Sequence, residues 1–155
     1  MENGLLAIEH SGVATWIRES GVLYGYPLVL FLHTLALSTL VGLNAAVNLR
    51  LLGVASAIPL ASLRRIFGLM WAGLVLTAVT GILLFMSDAS KHASNPAFMV
   101  KLVFVLLAAT TLALIWTRVF RGPHRGRMLA VVSLACWFGA LTAGRLMAYI
   151  AEFVS

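Results

Sequence analysis

Long uncharged runs, not alternation, dominate this chain. The stretch from Pro27 to Leu49 carries a single ionisable candidate, His33, and Pro27 suits the first helical position, where a missing N–H costs nothing. Ile66 to Ser87 is a run of 22 uncharged residues. Ser94-Asn95-Pro96 reads as a helix start leading into Ala97 to Thr117, interrupted only by Lys101, and Met128 to about Ala151 is interrupted only by Arg145. About 20 apolar residues cross a bilayer as a helix, so each run predicts one span: 27–49, 66–87, 97–117 and 128–151. Gly53 and Pro59 punctuate the first connection, and Gly122 and Pro123 the third. The predicted fold is an all-α membrane protein, a four-transmembrane-helix antiparallel bundle forming one membrane domain over residues 1–155. Residues 1–21 are weakly amphipathic, with Leu6, Val13, Trp16 and Ile17 near one face, and predict a short interfacial helix.

Composition agrees: 61% of the 155 residues are hydrophobic and 10% charged, against roughly 25% charged in a soluble domain. The net charge of +6 is divided among short loops, so it is a topology signal and nucleic acid is excluded as a partner. One cysteine, Cys136, excludes an intramolecular disulfide and any cysteine-pair metal site, and its mid-span position suits apolar packing. Glu2 and Glu9 precede the first long apolar stretch, unlike the basic start of a signal peptide, so the N-terminus is expected to be retained. Arg50, Arg64, Arg65, Arg118, Arg121, Arg125 and Arg127 flank or occupy the first and third connections, whereas all five acids lie on the opposite side. The positive-inside rule then sets both termini outward, in the periplasm of a bacterial inner membrane.

Three ionisable residues remain inside the spans: His33, Lys101 and Arg145. Counting about 1.5 Å per residue puts all three roughly 6–9 Å below the outward end, on three different helices. Taken singly, each has an ordinary explanation: an interhelical hydrogen bond for the histidine, and snorkelling to the interface for the two cations. Their common depth favours function, because charged groups in spans face the bundle interior or water and mark sites. Imidazole is a frequent haem-iron ligand, and haem propionates need cations, for which Arg145 and Arg18 are candidates. Gly73, Thr77, Thr80 and Gly81 on the second span, with Ala140, Ala143 and Gly144 on the fourth, leave room for close helix packing or a bulky ring. Asn44 and Asn48 share the His33 face and read as interhelical glue. His92 and His10 lie on the His33 side and are candidates for a second imidazole ligand. His124 lies in the opposite loop. No phosphate-binding loop, zinc-protease motif or intramembrane carboxylate is present, which disfavours a carboxylate-driven transporter.

Trp16-Ile17-Arg18-Glu19-Ser20, Tyr26-Pro27 with His33, Asn48-Leu49-Arg50-Leu51-Leu52-Gly53, Trp71 with Thr80-Gly81-Ile82-Leu83-Leu84-Phe85, Asn95-Pro96-Ala97-Phe98 with Lys101, and Gly144-Arg145 run through most of the chain. With them it resembles a family of small uncharacterised bacterial four-span membrane proteins, a resemblance that supplies no activity. More distantly, a histidine in the first span, Thr80-Gly81 late in the second and a lysine early in the third look like the four-helix membrane protoporphyrinogen oxidase family, which is associated with haem b. That resemblance implies haem near His33 and Lys101. The basic, proline-containing connection between the first two spans differs from that family, and Arg145 is not part of its pattern. The leading expectation is a b-type haem protein transferring one electron near the periplasmic face. His33 would be the axial ligand, Lys101 the opposite ligand or a propionate partner, and Arg145 and Arg18 further propionate partners. The expected partners are the lipid bilayer and a quinone or periplasmic redox protein, with a homo-oligomer as an option. The alternatives are a porphyrinogen oxidase and a non-catalytic accessory subunit of a membrane complex.

Overall fold

The computed structural model describes residues 2–54, 56–119 and 126–154; the basic loop holding Arg121, His124 and Arg125 lies outside them. The protein is 90% helical. Its elements are α1 (Glu2–Glu9), α2 (Gly12–Glu19), α3 (Gly21–Tyr24), α4 (Tyr26–Leu52), α5 (Leu60–Arg64), α6 (Ile66–Ser87), α7 (Ala89–Ser94), α8 (Pro96–Leu114), continued by a π-helical turn over Ile115–Val119, and α9 (Gly126–Val154). Four of these segments are long and apolar enough to cross a membrane: Tyr26–Leu52, Ala61–Ser87, Pro96–Arg118 and Gly126–Met147. The all-α four-helix membrane bundle expected from the apolar runs is thus the observed fold.

Local chemistry sets the ends. Pro27 and Pro96 each sit in the first turn of their helices, and the Asn95 side chain accepts from the Ala97 amide at 2.9 Å. Gly53 closes α4 at φ 95°, a left-handed conformation that costs a Cβ-bearing residue strain. Arg50 Nε donates to the Ile58 carbonyl and Arg127 to the Leu52 carbonyl, so basic side chains satisfy backbone acceptors at this end, which we call the lower end.

Neighbouring spans run antiparallel. Gly73 packs on Leu40 and Gly81 on His33, which aligns α6 against α4; Gly139 meets Phe104 and Gly144 meets Lys101, which aligns α9 against α8. The α4 helix also packs on α9, whereas α6 and α8 are joined chiefly by aromatic pairs, one at each end. Phe67 and Trp116 meet at 5.0 Å below, where the Arg64 guanidinium lies over the Trp116 ring, and Phe85 and Phe98 stack at 5.4 Å above.

The N-terminal segment forms two short helices, not one, because Ser11 starts a new helix by accepting from the Ala14 amide. They lie across the upper end, α1 against α7 and α2 against α6, with Ala14 and Ile17 buried and Trp16 and Val13 exposed. Arg18 fastens them, donating to the Ser87 carbonyl at the end of α6 (2.9 Å) and to the Glu9 carbonyl (2.6 Å), while Glu9 accepts from the Ser90 amide (2.7 Å). Large side chains such as Phe31, Leu106 and Phe138 face outward all round the bundle. That apolar surface fits a lipid bilayer, in which exposure of apolar groups costs nothing.

Candidate functional site

The large buried side chains cluster in the lower and middle bundle: Leu40, Val47, Phe67, Met70, Leu112, Ile115 and Trp137 form one connected core. Above it Ala36, Ala97, Ala140 and Ala143 are buried, with Val29 and Ile17 as larger buried side chains nearer the upper end, and the polar side chains His33, Thr80 and Lys101 occupy this level.

His33 projects from the second turn of α4 toward α6. Its Nδ1 lies 2.9 Å from Thr80 Oγ1. The Thr80 hydroxyl spends its own hydrogen on the Leu76 carbonyl at 2.6 Å, so toward the ring it can only accept, and Nδ1 carries the proton. Nε2 is then left with its lone pair. This is the arrangement in which an oxygen bonded to one ring nitrogen orients an imidazole for metal ligation by the other.

Gly81 makes the ring's position possible. A Cβ there would lie 3.3 Å from His33 Cε1. Lys101 passes over Gly144, with its Cδ, Cε and Nζ 3.7–3.9 Å from where a Cβ would stand, an ordinary contact distance. Lys101 is half-buried at the level of His33. Thr77 Oγ1 is buried in this region without a hydrogen-bond partner among the described residues. Above, the stacked Phe85–Phe98 pair is met edge-on by His92, 5.5 Å from Phe98 and 6.3 Å from Phe85. His92 Nδ1 donates to the Asp88 carbonyl at 2.7 Å.

The structure therefore brings His33 and Lys101 together and separates them from the two arginines. Arg145 follows Gly144, about 100° further round α9, and lies exposed on the bundle surface. Arg18 uses its guanidinium on two backbone carbonyls. His10 is exposed between α1 and α2. Gly73 serves close packing against Leu40 and the Ala36 carbonyl. Asn44 and Asn48 do act between helices: Asn48 Nδ2 donates to Asn44 Oδ1 and, at 3.1 Å, to Ser133 Oγ, which donates to Asn44 Oδ1 at 3.1 Å. Cys136 is buried in the core, as expected of an apolar packing residue. Thr80 was visible in the sequence as a small residue and as part of the Thr80-Gly81 pair; its bond to His33 depends on how α4 and α6 are rotated, which one chain's pattern does not encode.

Among the described residues no three His, Cys, Asp or Glu side chains group to hold a bare metal ion. Haem makes a smaller demand, since the porphyrin supplies four nitrogens and the protein only axial ligands. His33 with Nε2 unbonded, Lys101 at the same level and the orphaned Thr77 hydroxyl are the groups that would meet that demand. Comparison of the chain with protein-family models, curated proteins and solved structures gives no match.

Proposed function

We propose that the protein is a b-type haem-binding integral membrane protein whose role is one-electron transfer. The observation that carries this reading is the Thr80-fixed tautomer of His33, which leaves Nε2 as a ligand on a glycine-lined face beside Lys101. His33 would hold the haem iron, and Lys101 would be a second ligand or the partner of a propionate. Arg145, exposed at a similar depth on α9, is a second cation for a propionate at the rim, and Arg18 would serve only by leaving its carbonyl partners. Haem bound here would supply a one-electron couple. The residues around it hold and orient the ligand, and the Phe85–Phe98 pair with His92 limits access from the upper end. The basic lower end, read by the positive-inside rule, supports an orientation with the site near the periplasmic face of a bacterial inner membrane, where a quinone or a periplasmic redox protein would be the partner.

The test is a visible spectrum of detergent-purified protein, oxidised and dithionite-reduced. A Soret band that shifts on reduction and is lost or moved in His33→Ala is the expected result; no band after incubation with haem, or an unchanged spectrum in the variant, overturns the reading. The adjacency of His33 and Lys101 also supports a second reading, a porphyrinogen oxidase with both residues lining the substrate site. Rescue of a strain lacking its own porphyrinogen oxidase is the result that reading requires.

A further inference from the structure

The lower end of the bundle holds its arginines in two ways. Arg50 and Arg127 engage their side-chain donors with backbone carbonyls, those of Ile58 and Leu52. Arg64, the last residue of α5, is held by a ring: its guanidinium carbon lies 5.7 Å from the centre of Trp116, which itself meets the buried Phe67 at 5.0 Å. Attraction to an aromatic face uses none of the five guanidinium N–H donors, and among the described residues those of Arg64 meet no acceptor. Arg65 beside it and Arg118, two residues beyond Trp116, are exposed and have no hydrogen bond or ion pair among the described residues either.

Depth and charge narrow what those donors can take. The span that includes α6 begins at Ala61 and the span of α8 ends at Arg118. Arg64, Arg65, Arg118 and the Trp116 indole therefore share one membrane boundary, the level of the lipid phosphates, where tryptophan concentrates. The chain has no acid between Glu19 and Asp88, nor between Asp88 and Glu152, and these three belong to the upper end, so the protein supplies no counter-charge below. A zwitterionic headgroup would bring a quaternary ammonium against unpaired arginines. An anionic phospholipid brings phosphate oxygens, which match the planar guanidinium fork, and no cation. Its chains need no pocket: Leu69, one turn on from Arg65, is 54% exposed and offers an apolar path along α6.

We infer that the lower end binds the phosphate headgroup of an anionic phospholipid, with Arg64 as the principal donor, Trp116 as the platform that holds its guanidinium, and Arg65 and Arg118 adding charge at the same level. The ring contact reduces the side-chain freedom lost on binding, which sets Arg64 apart from a solvated arginine of equal charge. The site lies at the opposite end of the bundle from His33 and Lys101, and binding there does not depend on the haem reading.

The full-length protein in detergent, titrated with phosphatidylglycerol and read by native mass spectrometry, tests this. Saturable phosphatidylglycerol binding is expected at concentrations where phosphatidylcholine of the same chain length does not bind. Arg64→Gln should weaken it about five-fold, the contribution of one basic residue at an anionic surface. Arg64→Lys keeps the charge but loses the planar fork, and should weaken it nearly as much. Arg127→Gln removes the same charge from an arginine already bonded to the Leu52 carbonyl, and should leave binding unchanged. Both positions are exposed, so the variants test the headgroup contact with the core intact. Equal binding of phosphatidylcholine, equal losses in Arg64→Gln and Arg127→Gln, or wild-type affinity in Arg64→Lys overturns the proposal.

Discussion

The two halves of this bundle are built to different rules. In the lower half Leu40, Val47, Phe67, Met70, Leu112 and Ile115 fill the space between the helices, and Asn44, Asn48 and Ser133 tie α4 to α9 with hydrogen bonds. In the upper half the helices approach through glycine and alanine, and the side chains that occupy the level are His33, Thr80 and Lys101. Polar groups exist in both halves, but with opposite endings. The Asn–Ser triad bonds to itself across helices, whereas His33 is held at one nitrogen and left with a lone pair at the other. The difference separates holding from doing: the triad makes its bonds between α4 and α9, although Asn44 Nδ2 and Asn48 Oδ1 stay without partners among the described residues, whereas His33 ends in a ring nitrogen that offers chemistry.

The largest effect should come from breaking the lower half. Phe67→Ala removes a fully buried ring from the core and its contact with Trp116, and a cost of about 3–5 kcal/mol is expected, read by reversible unfolding in mixed micelles. His33 ligation should survive under folding conditions. If Phe67→Ala abolished cofactor binding with stability intact, the division of labour between the halves would be wrong.

The reverse experiment is Thr80→Val, which keeps the shape and removes the acceptor that sets the His33 tautomer. Outer-shell changes of this kind lower metal affinity about ten- to hundred-fold, so haem titrations should show that loss while unfolding changes little. Thr80→Ser should recover most of the affinity. A Thr80→Val protein with wild-type haem affinity would remove the ground for calling His33 a prepared ligand.

Asn48→Ala is the milder probe of the lower half. Interhelical hydrogen bonds in membranes are worth about 1 kcal/mol each or less, and this variant also relieves the unpartnered Asn48 Oδ1. A loss of about 1 kcal/mol with an unchanged visible spectrum is expected, and a spectral change would mean that the triad and the upper site are coupled.

How much of this contrast could be read from the chain depends on which coordinate is asked for. Position along a helix axis follows from counting, so the span Ile66–Ser87 was legible to the residue and His33 and Lys101 were legible as neighbours in depth. Azimuth is set by the neighbouring helix. Arg145 shares that depth, yet Gly144 is the residue turned toward Lys101, and a step of about 100° carries Arg145 outside. The same limit hid the Thr80 acceptor and the contact of Arg64 with the Trp116 ring. The short helices α5 and α7 and the π-helical turn after α8 carry little apolar periodicity, being capped by local hydrogen bonds such as Asn95 to the His92 carbonyl.

The smallest effect tests whether the N-terminal helices belong to the upper half or only rest on it. Glu9 has its carboxyl held below the ordinary value of 4.5, first by the Ser90 amide hydrogen bond and then by the Ser90 side chain, with Arg18 and His10 adding weaker attraction against a small desolvation cost. A carboxyl whose value is depressed in the folded state stabilises the contact fully above the unfolded value and loses that contribution as pH falls through the folded one. Attachment of α1 to α7 should therefore be constant from neutral pH down to about 4.5 and weaken below it. Hydrogen exchange at the Ser90 amide reads this directly: protection should fall in acid in the wild type. In Glu9→Gln it should start lower and stay flat over the same range. Because the carboxyl is solvent-exposed, the change should stay local, with the His33 spectrum unaffected. Acid-induced loss of that spectrum in the wild type and not in Glu9→Gln would show instead that the clip and the site act as one unit.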